Sequence, residues 1–253
     1  MWGRFKRIGM KMRKKAKNFR NGIKFVSTQK PQAETFYDGC FPSESKVEKV
    51  LELLTKAQGR YLESIKSNII SIGVGVAGTG KSYVALSYAA QLLQERKISK
   101  IIVTRPAVEA GEEFGFLPGE LDEKYAPYID PIKDILNKRL GSSFTAYLFK
   151  RKIIEARPLA FIRGSTFDNS FVVLDEAQNC TPTQMKMFLT RIGNDTKVVI
   201  NGDIQQKDIK GASGLADAIV RLQSVKKVGI VNFEIDDIVR SGICKEIVRA
   251  YSV

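Results

Sequence analysis

Short apolar runs rich in β-branched residues alternate with amphipathic stretches along most of this chain. The apolar runs predict strands at residues 69–76, 100–104, 171–174, 197–201 and 228–232. The amphipathic stretches predict helices at 46–55, 81–96, 131–140, 144–151, 183–191, 214–222 and 243–251. Because strands that alternate with helices form parallel sheets, the predicted fold class is α/β, an open and mostly parallel sheet with helices on both faces.

A glycine-rich segment follows the first predicted strand. It reads Gly75-Val76-Ala77-Gly78-Thr79-Gly80-Lys81-Ser82 and matches the pattern GxxxxGK[ST] in full. Small residues allow backbone N–H groups to turn inward around a β-phosphate, and the next helix directs its positive dipole end at the same anion. Lys81 adds a charge at the β- and γ-phosphate oxygens, and Ser82 Oγ is placed to ligate Mg²⁺. The segment therefore predicts a nucleoside triphosphate site.

The same glycines also fit a second pattern, Gly73-x-Gly75-x-x-Gly78, which is the fingerprint of dinucleotide-binding folds. Such a fold needs an acidic residue at the end of the next strand to hold a ribose. The predicted strand at 100–104 runs instead into Thr104-Arg105-Pro106. The phosphate-loop interpretation is therefore favoured, with a dinucleotide-dependent oxidoreductase as a remote alternative.

Two carboxylates follow the predicted strand at 171–174, namely Asp175 and Glu176. In an open parallel sheet ligands bind beyond the carboxyl ends of the strands, so Asp175 can reach the Mg²⁺ shell. Glu176 can orient or deprotonate the attacking water. This is a Walker B arrangement, and the alternative is a charged helix cap.

Another polar segment, which ends in Gln206, follows the predicted strand at 197–201. It is expected at the same carboxyl edge of the sheet as Asp175. An uncharged amide suits a γ-phosphate sensor because it accepts from water and donates to phosphate without adding charge. The alternative is an ordinary Gly-Asp turn followed by solvated glutamines.

Charge is distributed unevenly along this chain of net charge +14. Residues 1–30 contain 11 Lys or Arg and no acidic residue, which leaves 30 basic and 27 acidic residues in the remainder. Aromatic residues are interleaved with these charges, a mixture suited to nucleic-acid phosphates and bases. A solvated tail or attachment to a membrane surface are the alternatives. We divide the chain into a basic arm and linker at 1–45 and one domain at 46–253.

The remaining composition excludes several classes of protein. Cys40, Cys180 and Cys244 are widely spaced and odd in number, so a disulfide framework or a CxxC zinc site is not expected. The chain has no histidine, so acid–base chemistry must use carboxylates or water. No apolar run is long enough to cross a bilayer, and no secretory signal is evident, which predicts a cytoplasmic protein.

The order of these motifs resembles the PhoH-like family of phosphate-starvation-inducible ATPases, whose core is related to that of superfamily 1 helicases. The matching stretches include GVAGTGKS, TRPAVEAGEEFGFLPGEL, PLAFIRGSTF, LDEAQN, QMKMFLTRIG, NGDIQQKD, SGLADAI and IVRSGICKEIVRAY, and they cover residues 54–251. The resemblance implies a RecA-like P-loop NTPase that uses ATP and Mg²⁺.

The resemblance also implies roles for residues outside the phosphate loop. Gln58 matches a glutamine that recognises adenine in such ATPases. Thr104, Arg105 and Glu109 match a motif that contacts the nucleic-acid backbone in related helicases. For Arg105, capping of nearby carbonyls or pairing with Glu109 are alternatives.

The family further implies an oligomer, because one RecA-like domain has no second domain to supply an arginine to the γ-phosphate. We expect a ring, most simply a hexamer, in which a neighbouring subunit supplies Arg240, with Arg191 and Arg163 as reserves. Ser241-Gly242 stands where a His-Pro often follows this arginine. The expected function is a helicase-like ATPase stimulated by single-stranded RNA or DNA, and the alternative is an ATP-controlled binding module without unwinding activity.

Overall fold

Six strands form one parallel sheet in the described part of the chain. The structure is a computed structural model that describes residues 51–106 and 121–251. The strands are β1 (Ile70–Gly75), β2 (Lys100–Arg105), β3 (Ile154–Pro158), β4 (Ser170–Leu174), β5 (Lys197–Gly202) and β6 (Val228–Phe233). Their order across the sheet is β3-β2-β4-β5-β1-β6, so all six carboxyl ends lie along the same edge.

Helices cover both faces of this sheet. They are α1 (Lys56–Ser67), α2 (Lys81–Gln94), α3 (Leu121–Leu140), α4 (Ser142–Lys150), α5 (Pro182–Leu189), α6 (Gly214–Leu222) and α7 (Gly242–Tyr251). Successive strand residues point to opposite faces, so Ile101 and Val103 join the core beneath α1–α4 whereas Ile102 joins the core beneath α5 and α6. Both faces are therefore buried, as parallel sheets require.

The strand order identifies the fold as RecA-like. One strand, β5, separates β1, which precedes the glycine-rich loop, from β4, which precedes Asp175. In the dinucleotide-binding fold, by contrast, the strand after the first helix pairs directly with the first strand. Here β2 pairs with β3 and β4 and not with β1. The sheet order thus agrees with the phosphate-loop interpretation and not with the dinucleotide fingerprint.

The five predicted strands are confirmed, and the structure adds a sixth that the sequence analysis missed. This strand, β3, is an edge strand that carries Glu155 and Arg157. The prediction of a helix at 46–55 is wrong over its described residues, because 51–54 are not helical and Thr55 is the N-cap of α1. Helix α3 begins at Leu121 and so includes Pro131 in its interior, where the sequence predicted its start.

Several predictions fall on residues outside those the structure describes. The basic arm and linker at 1–45, together with Cys40 and Glu109, belong to this group, as do residues 46–50. Cys180 and Cys244 are free thiols. Within 51–106 and 121–251, no helix is both long and apolar enough to span a bilayer.

Candidate nucleotide site

The glycine-rich segment connects β1 to α2 in a tight loop. Gly78 and Gly80 have φ angles of +82° and +84°, in the left-handed region that glycine adopts without strain. Gly75 has a φ of +138°, and a Cβ there would collide with the carbonyl oxygen of Phe233 in β6. The loop therefore has the strand–loop–helix context that the phosphate-binding pattern requires.

The ammonium group of Lys81 lies against this loop. Its Nζ donates to the carbonyls of Gly75 and Val76 at 2.6 and 2.8 Å, and to Thr79 Oγ1 at 3.2 Å. Burial lowers the pKa of Lys81, and the nearby carboxylate of Asp203 opposes that shift most strongly. Lys81 is thus held beside the position where the loop would cradle a phosphate.

Ser82 and Asp175 meet across the sheet edge. Ser82 is in the first turn of α2 and Asp175 follows β4, and Ser82 Oγ donates to Asp175 Oδ1 at 2.9 Å. A hydroxyl and a carboxylate are oxygen ligands of the kind that Mg²⁺ prefers. No cluster of three or more metal-ligating side chains occurs among the described residues. This donor set fits Mg²⁺, which usually takes one or two protein ligands and completes its shell with phosphates and water.

Glu176 has an uncommon backbone conformation, with a φ of +56°. Such angles are rare in residues other than glycine and are frequent at functional sites. Its Oε2 accepts from Gln178 Nε2 at 2.8 Å, and Gln178 Oε1 accepts from the backbone N–H of Asp203 at 3.0 Å. The buried Gln178, which the sequence analysis missed, therefore connects the ends of β4 and β5.

Asp203 is a second residue that the sequence analysis did not select. It is buried beyond the end of β5, and its Oδ1 accepts from the backbone N–H of Gln205 at 3.0 Å. Its Oδ2 has no hydrogen-bond partner in the described part of the chain. Gln206 follows on the same loop, and its backbone N–H donates to the Asp203 carbonyl at 3.1 Å. Both residues line the cavity described next.

Most of the predicted site residues line one cavity of about 360 Å³ at the carboxyl edge of the sheet. Its lining includes Ala77, Gly78, Gly80, Lys81, Ser82, Arg105, Asp175, Glu176, Asp203, Gln206 and Arg240. Arg240 lies in the cavity of its own chain, because the backbone N–H of Val239 donates to the Gly78 carbonyl at 3.0 Å. Its supply by a neighbouring subunit remains a prediction.

The two reserve arginines lie elsewhere. The carbonyl of Arg191 accepts from the backbone N–H of Phe167. Because Phe167 precedes β4 and Arg191 precedes β5, this contact lies at the amino edge of the sheet, opposite the cavity. Arg163 is exposed beyond the end of β3, and it does not line the cavity. Arg240 is therefore the one candidate among these three that lines the cavity in this chain.

Comparisons with known proteins agree with this geometry. The family model described as PhoH-like protein matches residues 50–252. The chain belongs to the PhoH family. It is 47% identical over 201 residues to Protein PhoH of Escherichia coli (strain K12), covering 78% of this chain and 57% of that protein. It is also 47% identical over 205 residues to a PhoH-like protein of Bacillus subtilis (strain 168), covering 80% and 64%.

The chain thus spans about three fifths of the length of these PhoH relatives. Among solved structures, the large terminase of a thermophilic bacteriophage aligns with a TM-score of 0.43 and 10% identity, covering 77% of this chain and 49% of that one. That similarity is too low to carry a functional argument.

Gln58 supports the phosphate loop in this PhoH-family chain from outside the cavity. Its Nε2 donates to the Thr79 carbonyl at 3.0 Å, and its Oε1 accepts from the backbone N–H of Leu54 at 2.7 Å. The side chain is 2% exposed and does not line the cavity. Recognition of adenine by Gln58 remains a prediction, whereas its contact with the loop is observed.

Both residues predicted to contact nucleic acid, Thr104 and Arg105, lie beside Asp175. Thr104 is 0% exposed, and its carbonyl accepts from the backbone N–H of Asp175 at 2.9 Å. The Thr104 side chain is buried, and its contact with nucleic acid remains a prediction. Arg105 donates to Asp175 Oδ2 through Nη2 at 2.7 Å and through Nε at 3.2 Å.

Proposed function

We propose that this chain binds ATP with Mg²⁺ and hydrolyses it. The observation that carries the proposal is the convergence of Lys81, Ser82, Asp175 and Glu176 on one cavity, although the last two lie about a hundred residues beyond the loop. No protein core requires a buried lysine, a hydroxyl and two carboxylates at one strand edge. A triphosphate with its metal ion accounts for all four.

Each residue has a separate task in that reaction. Backbone N–H groups of the loop bind the β-phosphate, and Lys81 stabilises charge on the β- and γ-phosphate oxygens. Ser82 and Asp175 would hold Mg²⁺, which neutralises charge that develops on the phosphates. Glu176 orients the attacking water and accepts its proton, because the chain contains no histidine for this purpose.

Two further side chains of the cavity complete the proposed mechanism. Gln206 contacts the γ-phosphate, since its amide can donate to phosphate and accept from water. Arg240 stabilises charge in the transition state, and an arginine in this role increases turnover by about 10³- to 10⁵-fold. The position of Arg240 beside Gly78 supports this role within one chain.

We further propose that the ATPase acts on single-stranded RNA or DNA as a helicase-like motor, assembled as a homo-oligomer such as a hexameric ring. Support comes from the resemblance to helicase cores and from the 11 basic residues at 1–30. Arg105, whose Nε and Nη2 donate to Asp175, is the proposed contact for a nucleic-acid phosphate in this function.

One observation favours a second candidate, an ATP-controlled binding module. Because Arg240 lines the cavity of its own chain, one chain carries every residue of the proposed mechanism. A strand-displacement assay with blunt and tailed duplexes distinguishes the two functions. A motor unwinds the tailed substrate, whereas a binding module hydrolyses ATP and unwinds neither.

The direct test is the ATPase rate with and without single-stranded RNA and DNA, measured at several protein concentrations. Glu176→Gln should bind ATP but lose most turnover, because the amide cannot accept the proton of the attacking water. Exposed Glu246 in α7 offers a matched control, and Glu246→Gln should hydrolyse ATP at the wild-type rate. Normal hydrolysis by the Glu176→Gln variant would contradict the proposed mechanism.

A further inference from the structure

Arg105 and Ser82 together occupy both oxygens of the Asp175 carboxylate. The guanidinium of Arg105 binds Oδ2 through two nitrogens, and the hydroxyl of Ser82 donates to Oδ1. The side chains of Arg105 and Asp175 are only 16% and 7% exposed. A charged pair so poorly solvated is held much more firmly than a surface salt bridge.

The pairing follows directly from the register of the sheet. Thr104 of β2 is opposite Leu174 of β4, so the next residue of each strand lies at the shared carboxyl edge. The backbone N–H of Asp175 extends this ladder by donating to the Thr104 carbonyl. Arg105 is thus placed beside Asp175 by backbone geometry, and its guanidinium lines the nucleotide cavity.

A metal ion at this position would need the same carboxylate. Under the function proposed above, Asp175 and Ser82 hold Mg²⁺, and a guanidinium bonded to Asp175 Oδ2 puts a second positive charge next to that ion. Two cations in a site with so little solvent repel each other strongly. The guanidinium and the ion therefore compete for the negative charge of this carboxylate.

We propose that Arg105 and the divalent cation are mutually exclusive partners of Asp175. Arg105 neutralises the buried carboxylate in one state, and it leaves Asp175 when the cation binds with the nucleotide. Arg105 is the last residue of β2, so its release changes the side-chain contacts at the end of that strand. This makes Arg105 a positioning residue that connects metal binding to the strand end, and its release also makes the whole guanidinium available to a nucleic-acid phosphate.

The inference rests on the proposed ATP site, and metal affinity tests it without measuring turnover. Mn²⁺ can replace Mg²⁺ and be titrated by electron paramagnetic resonance in the presence of saturating ADP. We expect Arg105→Gln to bind Mn²⁺ roughly tenfold more tightly than the wild type, because the competing cation has been removed. Arg105→Lys keeps the positive charge and should remain near the wild-type affinity.

Exposed Arg151, which ends α4 ahead of β3 and so lies at the edge of the sheet opposite Asp175, offers the matched control. Arg151→Gln should leave Mn²⁺ affinity unchanged, which separates local competition from a general loss of positive charge. A second readout is the increase in melting temperature caused by Mn²⁺ with ADP, which should be larger for Arg105→Gln than for the wild type.

The Mn²⁺ titration distinguishes failure of this inference from failure of the proposed ATP site. Unchanged or weaker Mn²⁺ affinity in a folded Arg105→Gln variant would overturn the exclusion between Arg105 and the cation. Absence of nucleotide-dependent Mn²⁺ binding by the wild type would instead overturn the ATP site itself, and the exclusion with it.

Discussion

The side-chain amide of Gln58 donates to the carbonyl of Thr79 at 3.0 Å, so helix α1 supports the phosphate loop from behind. The contact is tight, because a Cβ on Gly80 would lie 2.7 Å from Gln58 Nε2. The other end of the Gln58 amide, Oε1, accepts a hydrogen bond from the backbone N–H of Leu54. Gln58 thus connects the start of α1 to the phosphate loop.

This support predicts a loss of nucleotide affinity that does not depend on the base. Gln58→Ala should weaken ATP and GTP binding by the same factor, about fivefold for a hydrogen bond of ~1 kcal/mol. Titration with fluorescent analogues of both nucleotides measures the two factors. Gln91→Ala on α2, which removes an exposed amide bonded to Glu95, is the control and should change neither affinity. A loss confined to ATP would favour adenine recognition by Gln58 instead.

A second prediction concerns the glycine at the end of β1. Gly75→Ala should lower the free energy of unfolding by about 2 kcal/mol or more, because its φ of +138° is strained for alanine and its Cβ would meet Phe233 of β6. Urea denaturation measures the change.

Gly59 provides the matched substitution within helix α1, where a Cβ meets no atom within 4 Å. Gly59→Ala should be neutral or stabilise the protein by about 0.5–1 kcal/mol, because alanine favours helix over the unfolded chain. Equal effects of the two substitutions would contradict the geometry of the loop.

The position of Arg240 predicts the outcome of subunit mixing. If Arg240 acts on the ATP of its own chain, a mixture of Arg240→Ala and Lys81→Ala subunits should remain inactive, since neither subunit holds a complete site. If a neighbouring subunit supplies Arg240, mixing should restore up to roughly a quarter of wild-type turnover in randomly paired subunits. From the contact of Arg240 with its own loop we expect no restoration.

The burial of Cys180 predicts how the free energy of unfolding changes at alkaline pH. Burial raises the pKa of its thiol from 9.0 to about 12, so the folded state keeps a proton that the unfolded state loses. The resulting stabilisation is complete below pH 9 and declines as the pH rises from 9 towards 12. For this single group the loss between pH 9 and pH 10 is about 1 kcal/mol.

Urea denaturation at pH 8, 9 and 10 gives the free energy of unfolding of the wild type and of Cys180→Ala. The contribution of Cys180 is the difference between the slopes of these two free energies against pH. Cys244, which is less buried, provides the control, and Cys244→Ala should keep the wild-type slope. A Cys180→Ala slope equal to that of the wild type would contradict the inference from burial.

Local patterns explain why part of this site could be predicted from the sequence. The loop from Gly75 to Ser82 is contiguous, and its function depends on small residues and one lysine at fixed spacing. Asp175 and Glu176 follow an uninterrupted apolar run, and a buried strand is recognisable from such a run alone. These residues lie where the sequence predicted them, at the carboxyl edge of the sheet.

The parts that the sequence did not predict depend on contacts between distant segments. The bond of Gln58 to Thr79 and that of Arg105 to Asp175 join residues 21 and 70 positions apart, and each depends on packing or register that a local pattern does not contain. Strand β3 was missed because charged residues alternate through an edge strand, without the apolar run of the central strands.

The measurement that tests the central claim most directly is ATP affinity with and without Mg²⁺, determined by isothermal titration calorimetry. We expect the wild type to bind ATP more tightly with Mg²⁺, and Lys81→Ala to lose at least about tenfold in affinity. Lys186→Ala on the exposed side of α5 should bind as the wild type does. Failure of the wild type to bind ATP, or equal binding by Lys81→Ala, would contradict the assignment of this cavity as an ATP site.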